Sequence, residues 1–228
     1  DKDKSDEKLD CSPDESQIDL NDEQNKIYKS IYSKINTFNN FLISGVTGSG
    51  KTEIYIKLTK KLVENNNGQV LIVVPEINLT PQTINRFRKY MKLNIDSYHS
   101  SMTEKEKIIT WKKIIQGRTN IIIGTRSSIF LPFPSLKMII VDEEHDSSLK
   151  QQEKFKYNAR DLAIVRAKNL NIPIITGSAT PSFESLYNAS IKKSIKYKLN
   201  KRFFKTSLPE IVVVDLNKDY PENGLSQY

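Results

Sequence analysis

Gly45-Val46-Thr47-Gly48-Ser49-Gly50-Lys51-Thr52 follows the apolar run Phe41-Leu42-Ile43 and opens a stretch of helical character. A glycine-rich turn between a strand and a helix N-terminus is a phosphate cradle. Gly45, Thr47, Gly48, Ser49 and Gly50 form the curl whose successive N–H groups point inward at a β-phosphate. Lys51 reaches the β and γ oxygens, and Thr52 holds Mg²⁺. The plain alternative is a glycine-rich turn that only happens to fit, and the flanking strand and helix signals weigh against it.

A second element turns nucleotide binding into hydrolysis. Met138-Ile139-Ile140-Val141 suits a strand buried on both faces, and it ends directly in Asp142-Glu143-Glu144-His145. Ligands of an open parallel sheet collect at the carboxyl ends of its strands, so the acidic tetrad and the cradle are expected to share one crevice. Asp142 then holds the metal from the outer side, and Glu143 orients or deprotonates the attacking water. The rival is a solvated acidic turn.

Further strands are expected over 70–74, 121–123, 172–175 and 211–214, with helices in right-handed crossovers between the earlier ones. The pattern is α/β with a mainly parallel central sheet. Thr103 and Glu106 form a capping box, Ile108, Trp111 and Ile115 follow at the spacing of one buried face, and Gly117 closes the helix. Trp111 is thus expected in the core. Another helix, about 158–169, carries Leu162, Val165, Ala163 and Ala167 on its apolar side.

The 228 residues hold no apolar run long enough to span a membrane and no signal-peptide pattern, so a cytoplasmic protein is expected. Cys11 is the single cysteine, in a polar tail, and no zinc site is expected within this chain. Charge is uneven. Residues 1–23 hold ten acids against three lysines, a net of −7, leaving +15 on the remaining 205 of a chain whose total is +8. Such a basic body suits a polyanion, nucleic acid above all, although a lysine-rich genome also explains it. Residues 1–17 read as an acidic linker or tail. The chain does not begin with Met, which fits an excised fragment.

Three strand-end segments add possible contacts. Thr80, in Val74-Pro75-Glu76-Ile77-Asn78-Leu79-Thr80-Pro81-Gln82, and Thr125, Arg126 and Ser127, in Gly124-Thr125-Arg126-Ser127-Ser128, are placed to grip nucleic-acid phosphates, or simply to cap helices. Gly177-Ser178-Ala179-Thr180-Pro181 offers hydroxyls that link the acidic tetrad to a neighbouring domain.

As a set, the cradle, the Asp-Glu-Glu-His box and the Ser-Ala-Thr motif resemble superfamily 2 helicases. The longer strings at 45–55, 74–82, 124–127, 141–148, 150–153 and 157–168 resemble the bacterial primosomal replication-restart DExH helicases, over a span from about Leu20 to Ser226. The resemblance implies the first RecA-like P-loop NTPase lobe of such a motor, over 18–195, with 196–228 a strand and linker toward a second lobe. It implies ATP and Mg²⁺ as cofactors and single-stranded and forked DNA as partners. Single-stranded-DNA-binding protein and primosome loading proteins are implied as well, in a nucleoid-associated setting.

It makes Gln24 the adenine-reading glutamine and gives His145 and Thr180 the relay of nucleotide state. It makes 147–157 a loop that senses single-stranded DNA through Phe155 and Tyr157, although Leu149 stands where an aromatic is usual. An isolated lobe, lacking the second lobe's arginine finger, is expected to be nearly inactive. Competing readings are a double-stranded DNA translocase of the same superfamily, a non-catalytic nucleotide-binding adaptor and a small-molecule kinase.

Overall fold

A computed structural model describes residues 18–200, apart from 67 and 92. In chain order the elements are α1 (Asp22–Tyr32), β1 (Asn40–Gly45), α2 (Lys51–Asn66), β2 (Gln69–Val73), α3 (Pro81–Tyr90), β3 (Ile95–Tyr98), α4 (Glu104–Ile115), β4 (Ile121–Gly124) and β5 (Leu136–Val141). They continue with β6 (Lys150–Gln151), β7 (Tyr157–Asn158), α5 (Ala159–Asn169), β8 (Ile174–Ser178), α6 (Phe183–Ser190) and β9 (Ile195–Leu199). The tail at 1–17 and the strand expected at 211–214 lie outside the described residues.

Seven strands form one sheet in the order β3-β4-β2-β5-β8-β1-β9, and every pairing within it is parallel. Only a sheet covered on both faces tolerates continuous apolar strands. Here Val70, Ile72, Met138 and Ile140 enter one core with α1, α2 and α3, while Leu71, Val73, Ile139 and Val141 enter another with α4 and α5. The five strands expected within the described residues are all present. Two edge strands, β3 and β9, join them; their mixed sequences Ile-Asp-Ser-Tyr and Ile-Lys-Tyr-Lys-Leu lack the apolar runs of the interior.

The order of strands positions the site. β5, β8 and β1 are neighbours, so the acidic tetrad, the Ser-Ala-Thr motif and the phosphate cradle leave the sheet side by side at its carboxyl edge.

Two helical faces differ from expectation. In α4 the capping box forms as read, with Thr103 and Glu106 bonded reciprocally, and Gly117 ends the helix with φ +67°. The buried residues, however, are Thr110 and Ile114, and Trp111 is 46 % exposed, with Ile108 and Ile115 also exposed. Polar ties set this rotation: Lys113 pairs with Asp96 of β3 at 2.8 Å, and buried Gln69 donates to the Ile114 carbonyl at 3.0 Å. In α5, capped by Asn158, the small residues Ala159, Ala163 and Ala167 lie against the sheet and Val165 is turned outward. Close approach of the helix selects alanines, and the larger Val165 is left at the surface.

Candidate active site

The cradle needs its glycines. Gly48 and Gly50 adopt φ of +76° and +85°, and a Cβ on Gly50 would lie 2.0 Å from the Gln24 amide nitrogen. Ser49 Oγ is buried with no hydrogen-bond partner among the described residues. A curl of this shape with an orphaned hydroxyl fits an anionic ligand's oxygens.

Lys51, the first residue of α2, is buried. Its ammonium donates to the Gly45 carbonyl at 2.9 Å and lies 3.6 Å from Glu143 Oε1. Thr52 lines a cavity of about 180 Å³ together with Tyr55, Asp142, Thr80 and Arg86. Strand neighbours therefore bring the cationic and acidic parts of the site into one cleft.

Glu143 sits in the left-handed region at φ +45°, a conformation that costs a non-glycine residue on the order of 1 kcal/mol. Asp142 accepts from the Tyr55 hydroxyl at 3.2 Å, and its pKa is pushed up to about 6. Burial is the main cause, the adjacent Glu143 adds to it, and Lys51 opposes both. The crowding is severe: a Cβ on Gly177 would meet Tyr55 Oη at 1.7 Å. Tyr55 sits between Ile54 and Ile56, and no spacing rule links it to a carboxylate 87 residues further on.

The other two tetrad residues divide their tasks. His145 Nδ1 shares a 2.8 Å hydrogen bond with Ser178 Oγ, which also accepts from the Thr180 N–H at 2.9 Å. Ser178 thus joins the two expected relay residues. Glu144 is buried and bonded to other elements: it accepts from Arg160 at 3.0 Å, from the Ser182 N–H at 2.8 Å and from the Ser185 hydroxyl at 2.8 Å. No spacing rule connects residues so far apart in the chain, so this hub leaves no mark in the sequence.

Gln24 is fully buried beside the cradle. Its Oε1 accepts from the Asn21 N–H at 2.9 Å, and its Nε2 donates to the Ser49 carbonyl at 2.9 Å. Both polar atoms have protein partners, so the α1 N-terminus is fastened to the phosphate loop.

Among the residues read as phosphate grips, Thr80 caps α3 by accepting from the Thr83 N–H at 3.2 Å. Thr125 is buried and makes no side-chain cap. Arg126 donates to the Ser148 carbonyl at 3.1 Å, tying the strand end of β4 to the loop after β5, and Ser127 is half-buried next to it. Phe155 is exposed and Tyr157 half-buried, on that same loop, while Leu149 is buried in the core.

A sequence profile of DEAD/DEAH box helicases matches residues 21–189. The chain is 43 % identical over 213 residues to the replication restart protein PriA of Haemophilus influenzae, covering 93 % of this chain and 29 % of that protein. Against PriA of Bacillus subtilis it is 37 % identical over 217 residues, covering 92 % and 26 %. The chain thus spans less than a third of the length of these relatives. Solved structures share the fold: the helicase domain of Pyrococcus furiosus Hef has a TM-score of 0.54 at 20 % identity, covering 76 % of this chain and 37 % of that one. RecG bound to a three-way DNA junction has a TM-score of 0.55 at 19 % identity, covering 83 % and 25 %. No helix among the described residues is long and apolar enough to cross a membrane.

Proposed function

The chain belongs to the DEAD/DEAH box helicase family, and from that premise we propose that it is the first motor lobe of a replication-restart DNA helicase. In this reading, the nucleotide-binding lobe expected over 18–195 extends through β9 to Leu199, which pairs with β1, with the acidic segment 1–17 before it and a strand and linker toward a second lobe after it. The parent protein couples Mg²⁺-ATP hydrolysis to travel along single-stranded DNA and to unwinding at stalled forks. Single-stranded-DNA-binding protein and primosome loading proteins are its partners at the nucleoid.

The observation that supports this best is the 3.6 Å approach of Lys51 to Glu143 at the mouth of a glycine curl, with Asp142 half-buried beside them. Bound Mg²⁺-ATP supplies the phosphoryl group that passes to water. Lys51 and the cradle amides would hold phosphate oxygens, Thr52 and Asp142 would hold the metal, and Gln24, to read adenine, would exchange its bonds to Asn21 and Ser49 for the base. Glu143 takes the proton of the attacking water, and the Ser178 bridge lets His145 and Thr180 move together. Most of the rate comes from positioning and electrostatics, which is why a lobe without the partner lobe's arginine turns over slowly.

Two substitutions in the full-length protein test the reading. Lys51→Ala weakens binding of a fluorescent ATP analogue by at least about tenfold, through loss of a charged phosphate contact. Glu143→Gln leaves that affinity within about twofold and lowers DNA-stimulated hydrolysis by roughly 10² or more, the usual cost of a lost general base. Undiminished hydrolysis by Glu143→Gln would remove the assigned base.

A further inference from the structure

Tyr55 is 1 % exposed, and a phenol taken so far from water needs a partner for its hydroxyl. That partner is Asp142 Oδ1, at 3.2 Å. Phenylalanine would fill nearly the same volume with no polar atom to satisfy, so the hydroxyl calls for a task beyond packing. Room has been cleared for it. The place that a Cβ on Gly177 would take lies 1.7 Å from Tyr55 Oη and 3.1 Å from Asp142 Oδ1. Only a residue without a side chain, here in β8, lets the phenol of α2 reach the carboxylate that follows β5.

Helix geometry carries the next step. Thr52 and Tyr55 stand three residues apart on α2, which places them on one face of the helix, and both line the cavity that Asp142 also lines. The helix that bears one of the two side chains assigned to the metal thus grips the other through Tyr55. A rigid element joining Thr52 to Asp142 fixes the span between them.

That span bears on which cation fits. Mg²⁺ demands near-ideal octahedral geometry with oxygens at about 2.0–2.1 Å, whereas Ca²⁺ accepts looser arrangements at about 2.3–2.6 Å. A carboxylate free to turn serves either ion. One with an oxygen pinned suits the stricter.

We propose that Tyr55 is a positioning residue that holds Asp142 at a fixed reach from Thr52 and thereby makes the nucleotide site selective for Mg²⁺ over Ca²⁺. It acts through Asp142. This deepens the motor-lobe reading and rests on it.

The test is binding of a fluorescent, non-hydrolysable ATP analogue to full-length protein at pH 7.5, measured with Mg²⁺, with Ca²⁺ and with EDTA. Wild type binds more tightly with Mg²⁺ than with Ca²⁺. Tyr55→Phe keeps the buried ring, lowers the Mg²⁺-supported affinity about tenfold, the usual cost of losing the group that orients a metal-holding side chain, and leaves the Ca²⁺ and EDTA values within about twofold. In an Asp142→Asn background the same change adds nothing. A loss in EDTA overturns the proposal, because the ring would then be shaping the cradle itself. A loss with Ca²⁺ as large as that with Mg²⁺, or a further loss in the Asp142→Asn background, overturns it as well. Tyr55→Phe that matches wild type in all three conditions overturns it and leaves the motor-lobe reading standing, as does a wild type that does not distinguish the two ions. A wild-type protein that binds no nucleotide under any condition overturns both.

Discussion

Asp142 shows what the site does to a single carboxyl group. Its pKa of about 6 in the folded chain stands above the unfolded value of 3.8, chiefly through burial. The sign follows: between these values the folded state holds the proton more tightly, so this group's stabilisation is present below about pH 4 and is lost as pH rises through 6. In nucleotide-free protein at pH 7.5, Asp142→Asn is therefore expected to raise the free energy of unfolding by roughly 2–3 kcal/mol. Urea denaturation checks this, and the gain should fade as the pH approaches 4. Stability is thus sacrificed where a metal cation would later compensate. Its neighbour Gly177 is constrained by space alone. Gly177→Ala would place a methyl 1.7 Å from Tyr55 Oη, an overlap expected to cost about 1–3 kcal/mol. Adding Tyr55→Phe leaves a ring carbon at 3.0 Å as the nearest atom of that side chain. The double variant should then recover part of the loss, measurable as non-additivity in a thermal-unfolding cycle.

Helices and strands were legible where one physical signal dominated. The interior strands announce themselves because burial on both faces demands unbroken apolar runs, and the cradle because only glycines tolerate its backbone. The edge strands β3 and β9 and the rotation of α4 were not legible, since each is settled by a neighbour distant in sequence. Ile114→Ala should cost about 2–5 kcal/mol through the cavity it leaves. Trp111→Ala, at a half-exposed ring, should cost far less, the reverse of what apolar spacing implies. The site divides in the same way. Lys51, Asp142 and Glu143 lie within recognisable strings, whereas the Glu144 hub joins the turn after β5 to α5 and to the first turn of α6. Arg160→Met leaves the Glu144 charge buried with hydroxyl and amide donors alone. That change is expected to lower stability by about 3–5 kcal/mol, and Glu144→Gln in the same chain should restore part of it. Recovery in the double variant separates an unpaired charge from mere loss of packing.

At the scale of the whole molecule, the charge carried outside the acidic first 23 residues, +15 over 205 residues, makes general attraction to nucleic acid inevitable and uninformative by itself. Salt distinguishes general attraction from base stacking. Each ammonium group that neutralises a phosphate of single-stranded DNA steepens the fall of log affinity with log salt by about 0.7, whereas a stacked ring releases no counterion. The rings and lysines of the loop after β5 are intermixed, yet they should respond separately. Lys154→Ala and Lys156→Ala are each expected to flatten the salt dependence by about 0.7, with little loss of affinity at high salt. Phe155→Leu should shift the whole line downward at unchanged slope. Parallel titrations from about 50 to 200 mM salt measure both effects. A Phe155→Leu line that converged on wild type at high salt would mean that the ring acts by placing the lysines, because a contact made to a base does not weaken as phosphate charge is screened.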